Sequence, residues 1–161
     1  MVKKLLALGG DGIGPEVLES GLRILETVSK GIKVNFDIDF DLIGGICWDK
    51  YGTFCRNITI QKAKEVDAIL VGAVGGPKWD AMKIKGDPVD QDGLMCLRKK
   101  LDTFFGIRPI KYYKSLHKII PFYRKNVQNS EIIILREMCG GVMFSKPRGI
   151  KYLSLIHISE P

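Results

Sequence analysis

Strand-like runs alternate with helix-like ones along this chain, and that alternation is its strongest constraint on fold. Lys3 to Leu8 is a short apolar run that breaks into Gly9-Gly10-Asp11-Gly12-Ile13-Gly14-Pro15-Glu16; apolar residues then return at Val17, Leu18, Leu22, Ile24, Leu25 and Val28. The pattern reads as buried strand, glycine turn and amphipathic helix. Pro15 suits a first helical turn because its missing N–H would be unbonded there, and Glu16 favours the positive helix end. Val34, Phe36, Ile38 and Phe40 alternate with Asn35, Asp37, Asp39 and Asp41, the period of a strand with one wet face. The acidic row is expected to be solvated, since side chains spaced along a strand do not converge on one metal ion. After Gly44-Gly45 and a polar stretch with Trp48, Tyr51 and Phe54, a helix is expected from Thr59 to Val66. A second buried strand is expected from Asp67 to Val74. Strand alternating with helix predicts an α/β fold with a parallel-rich sheet flanked by helices.

The glycine turn is neither GxGxxG nor a Walker motif with its lysine, so spacing alone makes it a tight strand-to-helix turn. The loop Gly75-Gly76-Pro77-Lys78-Trp79-Asp80 has no hydrophobic period, and ligands of open α/β sheets sit in loops beyond the carboxyl ends of strands. Ala81 to Asp92 continues as a polar connection. Leu94, Leu97, Leu101, Phe104 and Phe105 then read as one face of a helix. Ile107-Arg108-Pro109-Ile110 reads as extended, because Pro109 pushes Arg108 away from helical angles. Tyr112 to Asn129 is basic and without a clear period. Glu131 to Leu135 reads as a third buried strand that delivers Arg136.

Arg98, Arg108 and Arg136 each lie inside or against an apolar run. A guanidinium among aliphatic groups has an anion to meet, either a carboxylate of the protein or that of a ligand. Leu94 and Arg98, four residues apart, place an alkyl group and a cation on one helix face, which suits a small acid carrying a hydrocarbon branch.

With 161 residues and 45% hydrophobic composition, the chain can build a core. No apolar run reaches the length of a membrane helix and the first ten residues carry no signal-peptide pattern, so no membrane partner and a cytoplasmic address are expected. Cys47, Cys55, Cys96 and Cys139 form no CxxC pair and are expected to be reduced and structural. The formal net charge is +7, yet the lysines are scattered and interrupted by acidic residues, so no nucleic acid is expected as a partner.

GDGIGPEV, DAILVGAVGGPKWD, GLMCLRKKLDTFFGIRPIK and ILREMCGGVMFSKPRG, in that order, resemble the decarboxylating β-hydroxyacid dehydrogenases, the isocitrate/isopropylmalate dehydrogenase family. The resemblance covers Lys3 to Gly149. It implies the isopropylmalate dehydrogenase-like fold, which is not a Rossmann fold, and an N-terminal fragment of it. Residues 1–100 would begin the cofactor-binding domain and 101–152 the second, substrate and dimerisation domain. It further implies NAD as cofactor, Mg or Mn as metal, a 2-hydroxy diacid as substrate and a homodimer. Arg98, Arg108 and Arg136 would grip the carboxylates. Leu94 would line the pocket for an isopropyl branch, where isocitrate relatives place a polar residue. NAD would lie along Ile13, Gly75, Gly76, Pro77, Lys78, Trp79, Asp80 and Gln91. The implied chemistry is oxidation of a secondary alcohol by hydride transfer, followed by loss of the neighbouring carboxylate as carbon dioxide.

The chain departs from the family's pattern at several points. Met143 stands at the position of the family's catalytic tyrosine, and a thioether donates no proton. Cys139 replaces a threonine, and Gln91 stands near a position often held by glutamate. The family's lysine base and metal-binding aspartates lie downstream, so no metal ligand is assigned here. Leu153 to Pro161, LSLIHISEP, follows no family pattern and reads as the translation of a transposon-type sequencing adapter, so 153–161 are expected to be non-biological. Two other functions remain open: a non-catalytic regulatory subunit, or a sister dehydrogenase acting on isocitrate, homoisocitrate or tartrate.

Overall fold

The computed structural model describes residues 2–80, 82, 92–138 and 140, together with the backbone of 151–153 and 156–158. Two compact units make up the chain, Met1–Asp102 and Thr103–Pro161.

The first unit runs β1 (Val2–Gly10), α1 (Gly14–Ile32), β2 (Asn35–Asp41), α2 (Gly45–Tyr51), α3 (Asn57–Glu65), β3 (Ala68–Ala73), α4 (Pro77–Asp80) and α5 (Gly93–Lys100). Its sheet has the order β2-β1-β3, with both neighbours parallel to β1. The central strand is covered on both faces, which is why it reads as an unbroken apolar run. Leu6 and Leu8 pack with Ile60 and Ala63 of α3 and with Cys96 and Leu97 of α5. Ala7 shares a groove with Leu18 and Leu22 of α1. Gly10 has φ +75°, and a Cβ there would strike the Ala73 carbonyl, so β1 and β3 approach closely only because the residue is glycine.

Sequence and structure part company at several elements. The polar stretch after Gly44 is the helix α2, entered through Gly44 at φ 84°. Helix α5 stops at Lys100: Asp102 takes the left-handed φ of 49°, and Phe105 already opens a strand. Phe104 and Phe105 therefore do not extend its apolar face. The acidic row on β2 is only partly solvated. Asp39 pairs with Lys62, but the Asp41 side chain is 3% exposed and bonded to Arg56, the Thr59 hydroxyl (2.9 Å) and the Leu42 N–H (2.8 Å).

Burial alone would raise the Asp41 pKa, but the Leu42 N–H, the Arg56 guanidinium and the Thr59 hydroxyl together hold it below its ordinary value. A carboxyl depressed in the folded state adds stability that is complete above its unfolded pKa and is lost as pH falls through the folded one. Arg56, itself partly exposed, also lies over the Tyr51 ring at 4.1 Å. Arg56→Met leaves the Asp41 carboxylate buried without its cation and is expected to cost about 2 kcal/mol at pH 7. Urea unfolding of a family-length protein checks this, and the deficit should vanish in acid below the range where Asp41 ionises. An equal deficit at both pH values would show that only packing was lost.

In the second unit β4 (Phe105–Lys111) pairs antiparallel with β5 (Glu131–Glu137). Between them lie a 3₁₀ turn, Lys114–Ile119, and α6 (Arg124–Val127). A short ribbon, β6 (Lys151–Leu153) with β7 (Ile156–Ile158), follows. The strand expected to be buried is exposed on both faces, Ile133 and Leu135 at 60% and Ile132 at 54%. A two-stranded ribbon has no third layer against which to bury its side chains.

Candidate functional site

The chain leaves β1 toward β2 on one side and returns to β3 on the other, so the loops after β1 and β3 flank the point where winding reverses. Crevices at such points, beyond the carboxyl ends of the strands, are where open α/β sheets bind ligands. A cleft of about 160 Å³ opens there, lined by Gly44, Gly45, Val74, Gly75, Trp79 and Asp80, with Phe54, Met82, Asp92 and Gly93 completing it.

Asp11 ties these loops together. Its carboxylate, 3% exposed, accepts the N–H groups of Gly45 (2.8 Å), Ile46 (2.7 Å) and Gly75 (2.9 Å), while its own N–H donates to the Ala73 carbonyl at 2.6 Å. Two of those donors are the unpaired amides that open α2, a position that favours negative charge. Sequence reasoning credited Glu16 with this kind of role and passed over Asp11. The available signal was an acid between glycines directly after a buried strand.

A second tie comes from α2 itself. Asp49 accepts from the Lys78 ammonium (2.6 Å) and the Trp79 indole N–H (3.2 Å), which together hold its pKa below the ordinary carboxylate value. The Trp79 ring lies against Gly45, where a Cβ would collide with it. Gly75, Gly76, Pro77, Lys78, Trp79 and Asp80 thus form one short loop and helical turn anchored on α2. Ile13, 57% exposed, caps α1 in the turn that Asp11 anchors to Ala73 and Gly75.

Helix α5 starts on the other side of the cleft. Asp92 caps it by accepting from Leu94 (2.8 Å) and Met95 (3.0 Å) N–H, and a Cβ on Gly93 would meet the Phe54 carbonyl at 2.6 Å. Leu94 and Arg98, both half-buried, follow one turn apart. In the second unit Arg136 lies opposite Gly106 and Arg108 opposite Ile134. Residues directly opposite, and residues two apart along a strand, share a face, so Arg108 and Arg136 are diagonal neighbours on one face of the ribbon, with Ile134 between them. Gln91, Cys139 and Met143 lie outside the described residues.

Cys47, Cys55 and Cys96 are buried, reduced thiols. Burial, with Cys96 and Cys47 adjacent, pushes the Cys55 thiol up to about 12, so it stays protonated and unreactive at neutral pH. Among the described residues no group of three His, Cys, Asp or Glu could hold a metal ion. No described helix is long and apolar enough to cross a membrane.

Solved structures share the architecture and define the class as the decarboxylating-dehydrogenase type of α/β fold. A β-decarboxylating dehydrogenase from Thermococcus kodakarensis superposes with TM-score 0.66 at 21% identity, over 97% of this chain and 39% of that one. An isocitrate dehydrogenase from Methylococcus capsulatus gives 0.64 at 19% identity, over 84% and 34%. The isocitrate/isopropylmalate dehydrogenase family model matches residues 4–157, and the chain belongs to that family. Among curated relatives it is similar to the 3-isopropylmalate dehydrogenases of Bacillus subtilis (40% identical over 147 residues, 91% of this chain) and Dehalococcoides mccartyi (43% over 145 residues, 90%). The chain spans about 40% of the length of those relatives.

Proposed function

We propose that in family-length form this chain serves the NAD-dependent oxidative decarboxylation of 3-isopropylmalate in leucine biosynthesis, as a homodimer with Mg or Mn. The observation that carries the reading is Leu94 one turn before Arg98 on α5: a hydrocarbon surface and a cation side by side, as a branched diacid requires. The names of the relatives, 39 to 43% identical, support the same substrate.

In this reading Arg98, Arg108 and Arg136 orient the two carboxylates of the substrate and offset their charge. Leu94 lines the place of the isopropyl group. Isocitrate would bring a further carboxylate against Leu94, a pairing that an alkyl side chain cannot make and that costs roughly several kcal/mol when buried. Bound NAD supplies the hydride acceptor for the alcohol carbon. Ile13 and the Gly75 to Asp80 loop, with Gln91, are proposed to hold it. The cleft is smaller than the roughly 300–1,000 Å³ of a whole small-molecule site, so it accounts for one part of a dinucleotide. Its two carboxylates, Asp80 and Asp92, favour a hydroxyl-bearing sugar there over a phosphate, because like charges repel. Residues 1–100 and 101–152 are assigned to the cofactor and the substrate and dimer domains respectively.

The direct test follows NAD reduction by a family-length protein, this chain completed with the unmatched part of the Bacillus subtilis relative, on 3-isopropylmalate in competition with isocitrate, homoisocitrate and tartrate. Leu94→Ser should reduce the preference for isopropylmalate over isocitrate by roughly 10- to 100-fold. An unchanged ratio would remove Leu94 from the pocket. A regulatory subunit without turnover is the second reading, favoured by Met143 at the position of a proton donor.

A further inference from the structure

We infer that Asp11 is a positioning residue: one buried carboxylate that sets the Gly75 to Asp80 loop against the start of α2 and, through that loop, sets cofactor affinity. The inference rests on the assignment of this loop to NAD. Three N–H groups from two separate segments end on the Asp11 carboxylate, Gly45 and Gly75 on Oδ2 and Ile46 on Oδ1. All three partners are donors, so the position requires a group that only accepts. An asparagine of the same shape would turn its NH₂ toward at least one of these N–H groups, donor against donor, whichever way its amide is rotated. A longer acid has no room, since Gly44 lies so close to Oδ2 that even a Cβ there would collide with it.

The loop is then fastened to α2 at both ends: Gly75 by Asp11, and Lys78 with Trp79 by Asp49. Asp49 is on the surface, where solvent screens its ion pair. Asp11 is buried, and charge-assisted bonds to a buried carboxylate fix geometry more firmly. Asp11 does not line the cleft, so its influence on a bound cofactor passes through the loop.

The test compares Asp11→Asn and Asp11→Ser with the parent in a family-length protein. The KM for NAD is expected to rise roughly 10- to 100-fold, the scale on which small misplacements of a positioned group act, while kcat and the KM for the hydroxy diacid stay within about threefold. An NAD KM within twofold of the parent in both variants overturns the inference. So does a joint collapse of kcat and both KM values, which is the mark of general damage. Should neither variant fold, native-state hydrogen exchange of the parent decides. One carboxylate holding three amides predicts that Gly45, Ile46 and Gly75 open with a single common constant, and unrelated constants overturn it. A parent that neither binds nor reduces NAD sinks the functional reading instead, and the shared opening of the three amides still tells whether Asp11 pins the loop.

Discussion

Replacing Arg108 or Arg136 by leucine in the family-length protein is expected to lower kcat/KM for 3-isopropylmalate by roughly 100-fold or more each. Both are exposed on the bare ribbon; once a bound diacid covers them, removing one partner of the desolvated pair costs about 2–5 kcal/mol, because the other charge stays buried and unpaired, and about 3 kcal/mol is already more than two powers of ten. The two arginines are diagonal neighbours on one face of the β4–β5 ribbon, close enough for both to reach one small diacid. The double variant should therefore lose much less than the product of the single losses, since the substrate loses its hold on that face only once. Lysine at either position keeps the charge but not the planar fork, so Arg108→Lys should recover only part of the loss. Steady-state kinetics of the two singles, the double and the lysine variant decide this. Additive losses would mean that the two arginines act on the diacid independently, and losses of less than about threefold would mean that the pair serves the ribbon's own stability and not the diacid.

The parts of the fold legible in the sequence are those whose physics is local. Lys3 to Leu8 reads as a strand because both sides of β1 are covered, by α1 on one face and by α3 and α5 on the other, which leaves an unbroken apolar run. Asn35 to Asp41 reads as a strand because half-buried Phe36 and Ile38 alternate with exposed Asn35, Asp37 and Asp39; the alternation then breaks, with Phe40 60% exposed and the Asp41 side chain turned inward. Helix α2 was hidden because its first turn is completed by a carboxylate 34 residues earlier, and no window of sequence contains both partners. Asp41 was misread for the same reason: its neighbours on β2 suggest a wet face, while its partners Arg56 and Thr59 come from the start of α3. Residue type and context single out the arginines and the Gly75 to Asp80 loop as candidates for the proposed site. They do not single out Asp11, which binds to no neighbour in its own turn through its side chain. The apolar character of β4 and β5 was legible, but not its exposure: Ile107, Ile133 and Leu135 mark a surface that needs something against it, and their spacing does not say what.

Met143→Tyr is expected to raise kcat of the family-length protein by roughly 100-fold or more if the chain serves an enzyme whose proton donor has been replaced. General acid–base groups contribute about 10²- to 10⁴-fold, and a methionine thioether can neither give nor take a proton at working pH. A tyrosine phenol, with its ordinary pKa of about 10, stays protonated at neutral pH and can donate. The KM values should change little, because the substrate's charges are proposed to be met by Arg98, Arg108 and Arg136, and the gain should fall as pH rises through the phenol's pKa. The regulatory-subunit reading predicts the opposite pattern: diacid binding measurable by calorimetry, no turnover in either form, and no gain from the new phenol. A parent already as active as its Met143→Tyr variant would place proton transfer on another group altogether. These outcomes separate chemistry from binding, because the arginine variants act on the grip of the substrate and the tyrosine variant on the movement of a proton once it is held.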